Sequence, residues 1–96
     1  MRVIGRDKIV AFQEKHPTST KALNRLLKIL ENADCSNPAQ LKKLFGVNVD
    51  FVGKQTVLDA GGNKVRVITK IQYGVKVVLI THVLDHKEYD KAKWKE

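Results

Sequence analysis

Gly61-Gly62-Asn63-Lys64-Val65-Arg66-Val67-Ile68 decides the fold. Gly and Asn tolerate positive φ, so the first three residues signal a tight hairpin. The β-branched run behind them predicts a strand to Gln72. Ahead of them, Gln55 to Ala60 is the partner strand, and Gly53-Lys54 turns back to an earlier one. In that earlier strand Val47, Val49 and Phe51 alternate with Asn48, Asp50 and Val52. Beyond Gln72, Tyr73-Gly74 turns the chain into a last strand, Val75 to Leu84. This is a β-meander.

Outward from the meander the period changes to helical. Leu23, Leu26, Leu27 and Leu30 fall at i, i+3, i+4 and i+7, which makes a single apolar stripe on a helix of about 18–32. Lys21, Arg25, Lys28 and Asn32 lie off that stripe. An earlier helix runs from Asp7 to His16, with Ile9 and Phe12 on one face. Pro17 ends it or begins the next, and Thr18, Ser19 and Thr20 are capping types. Asn37-Pro38 starts a third helix, with Leu41, Leu44 and Phe45 on its apolar side and Gly46 ending it. Lys42 and Lys43 form a solvated face. Arg2 to Gly5 is a short first or edge strand. The expected architecture is α+β, a single domain over residues 1–96. It is one antiparallel sheet with an N-terminal α-hairpin and a C-terminal helix packed on it.

The chain carries net charge +8. Residues 1–48 contribute +5 and residues 49–96 contribute +3, so no basic tail accounts for it. A field of this sign attracts polyanions and speeds their encounter. One cysteine, Cys35, cannot form an internal disulfide, which suits a reducing compartment. Neither a signal-peptide core nor an apolar run of about 20 residues is present. A soluble, cytoplasmic protein that does not engage the membrane is expected.

Chemistry is expected where the hairpin strand meets the exit of the last strand. On strand 64–71, Lys64, Arg66 and Lys70 share one face with Ile68, and Val65, Val67 and Ile71 share the other. Three cations on one face repel unless an anion visits. Arg66 could grip two phosphate oxygens at once, which lysine cannot do. The last strand is apolar on both faces and is expected to be central and covered, with His82 a structural histidine. Asp85 and Glu88 have capping-box spacing. His86 and Tyr89 then lie one turn apart on one side of the helix start. Histidine can take or give a proton near neutral pH. Metal-free RNA cleavage needs such a group, cations for the phosphorane, and a surface for a base. The bland alternative is that Tyr89 packs the helix down and His86 is a surface residue. The three histidines and one cysteine have no metal-ligand spacing. No nucleotide loop, cofactor motif or Ser/His/Asp hydrolase pattern is present.

These two motifs, Gly61 to Ile68 and Thr81-His82 to Lys91, together with the helix pair and the segment 37–42, resemble the HigB-type toxins. Those are mRNA interferases of type II toxin–antitoxin modules, within the RelE-like superfamily. The resemblance runs over nearly the whole chain. It implies a compact microbial-ribonuclease-like domain that cleaves mRNA, commonly on the translating ribosome. It also implies a helix-turn-helix antitoxin of HigA type that silences the toxin, with operator DNA reached only through their complex. The implied reaction is metal-independent attack of a 2′-oxygen on the adjacent phosphate. Arg66 matches the strand arginine placed against the scissile phosphate, and His86 and Tyr89 match the C-terminal polar cluster. The superfamily often has lysines on the strand before the Gly-Gly turn. This chain has Thr56-Val57-Leu58-Asp59 there. The general base is thus left open, with Lys54, Lys64 or Lys70 supplying charge from neighbouring positions, or with His86 carrying more of the proton transfer. Lys91 and Lys93 are further candidates for the RNA backbone.

Three hypotheses follow: an endoribonuclease toxin, a basic ribosome- or RNA-binding blocker that does not cut, and a degenerate relative retained as an antitoxin partner or co-repressor.

Overall fold

The computed structural model describes residues 1–61 and 64–91. Gly62 and Asn63 of the predicted hairpin, and Lys93, lie outside them. The chain runs β1 (Arg2–Ile4), α1 (Arg6–Lys15), a 3-10 turn at Pro17–Ser19, α2 (Thr20–Asn32) and α3 (Pro38–Phe45). A second 3-10 turn at Gly46–Asn48 leads to β2 (Val49–Val52), β3 (Gln55–Ala60), β4 (Val65–Gln72), β5 (Val77–Asp85) and α4 (His86–Asp90).

The helix starts follow local chemistry. Asn37 accepts the Gln40 backbone N–H through Oδ1 at 2.9 Å, and Pro38 occupies the first helical position. Ser19 departs from the capping expectation. It is buried, and its hydroxyl donates to the His16 carbonyl at 2.6 Å instead of capping α2. The α1–α2 hairpin is tied across by Gln13, whose amide donates to Asn24 Oδ1 at 3.0 Å.

The sheet order is β1-β5-β4-β3-β2. The expectation of an antiparallel sheet is corrected: β2 to β5 form the antiparallel meander, but β1 pairs with β5 in parallel, Arg2 opposite Val77 and Ile4 opposite Leu79. The sheet is mixed. A three-residue strand has too little pattern to fix its own direction, and the turn that follows fixes it instead. Gly5 adopts φ 97°, and a Cβ there would lie 2.6 Å from the Ile80 carbonyl oxygen. The chain thus lies directly on β5 as it leaves β1 for α1, a close approach that glycine permits.

The last strand needs a second correction. It begins at Val77, because residues 73–76 form the turn and Lys76 takes φ 57°. It is not covered on both faces, since Leu79 is 39% exposed. Its continuous apolar run has another cause. Ile68 pairs with His82 and Thr69 with Ile80, so Thr81 is an extra residue in β5. Such a bulge reverses the side-chain alternation beyond it. Val78 and Ile80 therefore point into the main core ahead of Thr81, and Val83 joins them after it.

That main core lies between the sheet and the helices. It gathers the α2 leucines, Ile9 and Phe12 of α1, Leu41 and Phe45 of α3, and Val65 and Val67 of β4. Cys35 is buried there too, despite its polar sequence neighbours. Leu30 is fully buried, so Leu30→Ala is expected to cost about 2–5 kcal/mol, read by urea denaturation. On the opposite sheet face a smaller cluster joins Val57 and Ile68 to Val52, Leu84 and Tyr89. This second cluster seats α4 and brings its residues to the open face.

Candidate active site

Arg66 opposes Asp59 on β3 and Leu84 on β5, so these three side chains form one row across the open face. Asp50, Val57, Ile68 and His82 form the next row. Asp59 Oδ1 lies 3.2 Å from Arg66 Nε, and the two side chains are only 16% and 17% exposed. The Tyr89 ring approaches from α4, its centroid 5.2 Å from the Arg66 guanidinium carbon. This is within cation–π range. Arg66 is thereby held from two sides, by a carboxylate on its own sheet and by a ring from the last helix.

Burial raises the Asp59 carboxyl above its ordinary value; Arg66 opposes this and Asp50 adds to it. A carboxyl whose pKa rises on folding contributes stability below its unfolded pKa and loses that contribution as pH rises through the folded value. Folding therefore favours the protonated form of Asp59 more than water does. Burial also raises the Tyr89 phenol; Asp50, Asp59 and Asp90 add to the shift and Arg66 opposes it. Tyr89 stays neutral at physiological pH and can donate a hydrogen bond.

The expected capping box is present. Asp85 Oδ1 accepts the Glu88 N–H at 2.8 Å, and Glu88 Oε1 accepts the Asp85 N–H at 3.2 Å. His86 is the first residue of α4 and is exposed. Its side chain makes no hydrogen bond among the described residues. The structure thus joins Arg66 to Tyr89 and leaves His86 at the solvent, one turn ahead of the ring.

The lysines fall into two groups. Lys64, just before β4, and Lys91, at the end of α4, are exposed near the Arg66 end of the sheet. Lys70 lies on the same β4 face, two alternations beyond Arg66, or about 13 Å at a strand's rise. Lys54 is in the β2–β3 turn at that far end. These two lie well away from the Arg66–Asp59 pair. His82 is exposed, its Nδ1 3.0 Å from the Thr81 hydroxyl. It is therefore no enclosed structural histidine. Among the described residues, no three His, Cys, Asp or Glu side chains gather as a metal would require, and no helix is long and apolar enough to cross a membrane.

Asp59 is the ion-pair partner of Arg66 that sequence reading missed. The signal was present in the hairpin register, because Ala60 opposite Val65 places Asp59 opposite Arg66. Two further cations, Lys21 and Arg25, line a groove of about 660 Å³ between α2, α3 and the end of β3, which reaches Asp59 and Gly61.

The family model for "HigB_toxin, RelE-like toxic component of a toxin-antitoxin system" matches residues 19–92, a span that includes Asp59, Arg66, His86 and Tyr89. The chain is 32% identical over 93 residues to the mRNA interferase HigB of Escherichia coli strain CFT073, covering 95% of this chain and 90% of that protein. It is 28% identical over 92 residues to the mRNA interferase HigB of Shigella flexneri, covering 94% and 88%. Matched by the family model over residues 19–92 and by these relatives over most of its length, the chain belongs to the HigB toxin family, the RelE-like toxic components of toxin–antitoxin systems.

Proposed function

We propose that this toxin is an endoribonuclease that cleaves mRNA, on the translating ribosome, and that a HigA-type antitoxin neutralises it. The observation that carries the proposal is the Arg66–Tyr89 pair on an open sheet face of a strongly basic chain. Cleavage runs without a metal ion. A base takes the 2′-hydroxyl proton, the 2′-oxygen attacks phosphorus, and the 5′-oxygen leaves with a proton from an acid. The products carry a 2′,3′-cyclic phosphate and a 5′-hydroxyl.

Arg66 stabilises the charge that accumulates on the phosphorane oxygens, where a positioned donor has its largest effect. Tyr89 orients the RNA by presenting its ring edge and hydroxyl beside that arginine. His86, exposed one turn away, transfers a proton. Lys64 and Lys91 hold the backbone beside the cut, and Lys54 and Lys70 hold it farther along. The cationic surface raises the encounter rate with ribosomal RNA and message, and this part falls with salt.

The direct test is purified protein mixed with mRNA, with and without translating ribosomes, in the presence of EDTA. Cut message bearing 2′,3′-cyclic ends is the expected product, and antitoxin should stop its formation. His86→Ala is expected to slow cleavage by about 10²-fold or more, the usual effect of losing an acid–base group. An unchanged single-turnover rate for that variant would remove His86 from the reaction.

A further inference from the structure

We propose that Asp59 is the general base of the cleavage reaction, taking the 2′-hydroxyl proton while Arg66 beside it holds the phosphate. The assignment rests on the nuclease function proposed above and deepens it, since it leaves the acid's part to His86.

The geometry comes from the hairpin. Antiparallel register sets Asp59 directly across from Arg66, and the carboxylate reaches Nε at 3.2 Å. An attacking 2′-oxygen must sit next to the phosphorus it attacks. A phosphate drawn to Arg66 therefore brings its neighbouring 2′-hydroxyl close to whichever base stands beside that arginine. Among the described residues Asp59 is the carboxylate paired to Arg66.

The surroundings suit the role. The groups that face or flank Asp59 are Asp50 from β2, Arg66 from β4, Tyr89 from α4, and Lys21 and Arg25 from α2 along the shared groove. Tyr89 is held neutral and protonated, which rules it out as the base near pH 7. Burial and Asp50 move the Asp59 carboxyl upward, toward the range where a base works best, while Arg66 keeps it ionisable. The acidic residue that sits where lysines are common is thus a proton acceptor. In the step, the proton passes from the 2′-oxygen to Asp59, the 2′-O–P bond forms and the P–O5′ bond breaks. The leaving oxygen takes a proton from the imidazolium of His86.

The test uses the full chain with mRNA on translating ribosomes, at single turnover. Asp59→Asn keeps the shape and an acceptor for Arg66, and should fold as well as the parent at pH 7. It is expected to cut at least 10²-fold more slowly. It should bind a message carrying a 2′-deoxy nucleotide at the cut site as tightly as wild type or more tightly, because a negative charge near the phosphate is gone. Asp59→Glu should recover part of the rate, and the acidic limb of the wild-type pH–rate profile should vanish in Asp59→Asn.

Cleavage by Asp59→Asn within threefold of wild type, with the acidic limb intact, would overturn the assignment. So would a loss of rate matched by an equal loss of binding, because Asp59 would then only position Arg66. Wild-type protein that binds ribosomes and leaves the message whole would overturn the nuclease function, and this assignment with it.

Discussion

Arg66→Ala is expected to abolish toxicity and to slow cleavage by about 10³-fold, the scale on which positioned arginines act in phosphoryl transfer. The substitution has a structural cost as well. Asp59 is largely covered and ion-paired to Arg66, and a covered carboxylate that loses its partner destabilises the fold or takes up a proton. Two companion variants separate folding from chemistry. Arg66→Lys keeps a cation for Asp59 but loses the planar fork that grips two oxygens, so it should fold and remain slow. Arg66→Ala combined with Asp59→Ala removes both charges, and it should recover stability without recovering activity. Urea denaturation and single-turnover cleavage of the three proteins read the two effects apart. A toxic, well-cutting Arg66→Lys would mean that charge alone matters at this position.

Tyr89→Ala is the second large effect. The ring lies against the guanidinium at 5.2 Å and also closes the small cluster of Val57, Ile68, Val52 and Leu84. Its removal takes away a cation–π contact of about 0.5–2 kcal/mol and loosens the five-residue α4, which carries His86. The expected result is a 10- to 100-fold loss of cleavage and faster amide hydrogen exchange through residues 84–91. Tyr89→Phe keeps the ring and loses only the hydroxyl. It should retain the exchange protection of the parent, so any remaining loss of rate belongs to the hydroxyl. A Tyr89→Phe protein as impaired as Tyr89→Ala would place the whole contribution in that hydroxyl.

The α2 leucine stripe, the Asn37-Pro38 helix start and the Asp85–Glu88 capping box were legible because each is written within a few residues. Features that depend on distant pairing were harder to read. The parallel direction of β1 comes from Gly5 crossing over Ile80, about 75 residues away along the chain. The bulge at Thr81 made β5 look doubly buried, because a shift in alternation and a continuous apolar run have the same sequence signature.

The site shows the same division. Arg66, His86 and Tyr89 stood out by residue type and by motif. Tyr89 reaches Arg66 because α4 folds back over the open face, and the second apolar cluster holds it there. Asp59 looked like a misplaced charge as long as β3 was read alone. Opposite Arg66 it becomes half of an ion pair. Lys54 and Lys70 share the charge pattern of Lys64 but lie toward the other end of the sheet, a separation that composition cannot show.

This HigB-family toxin is expected to cut message with Arg66 at the scissile phosphate. The most direct test is to express the chain alone in growing bacteria and to map the 5′ ends of cellular mRNA, beside an Arg66→Lys control. New 5′ ends inside reading frames, absent from the control, are the predicted result, and they would report the cleavage preference in the same experiment. Growth arrest with intact mRNA would contradict the claim and identify a basic protein that blocks translation by binding alone.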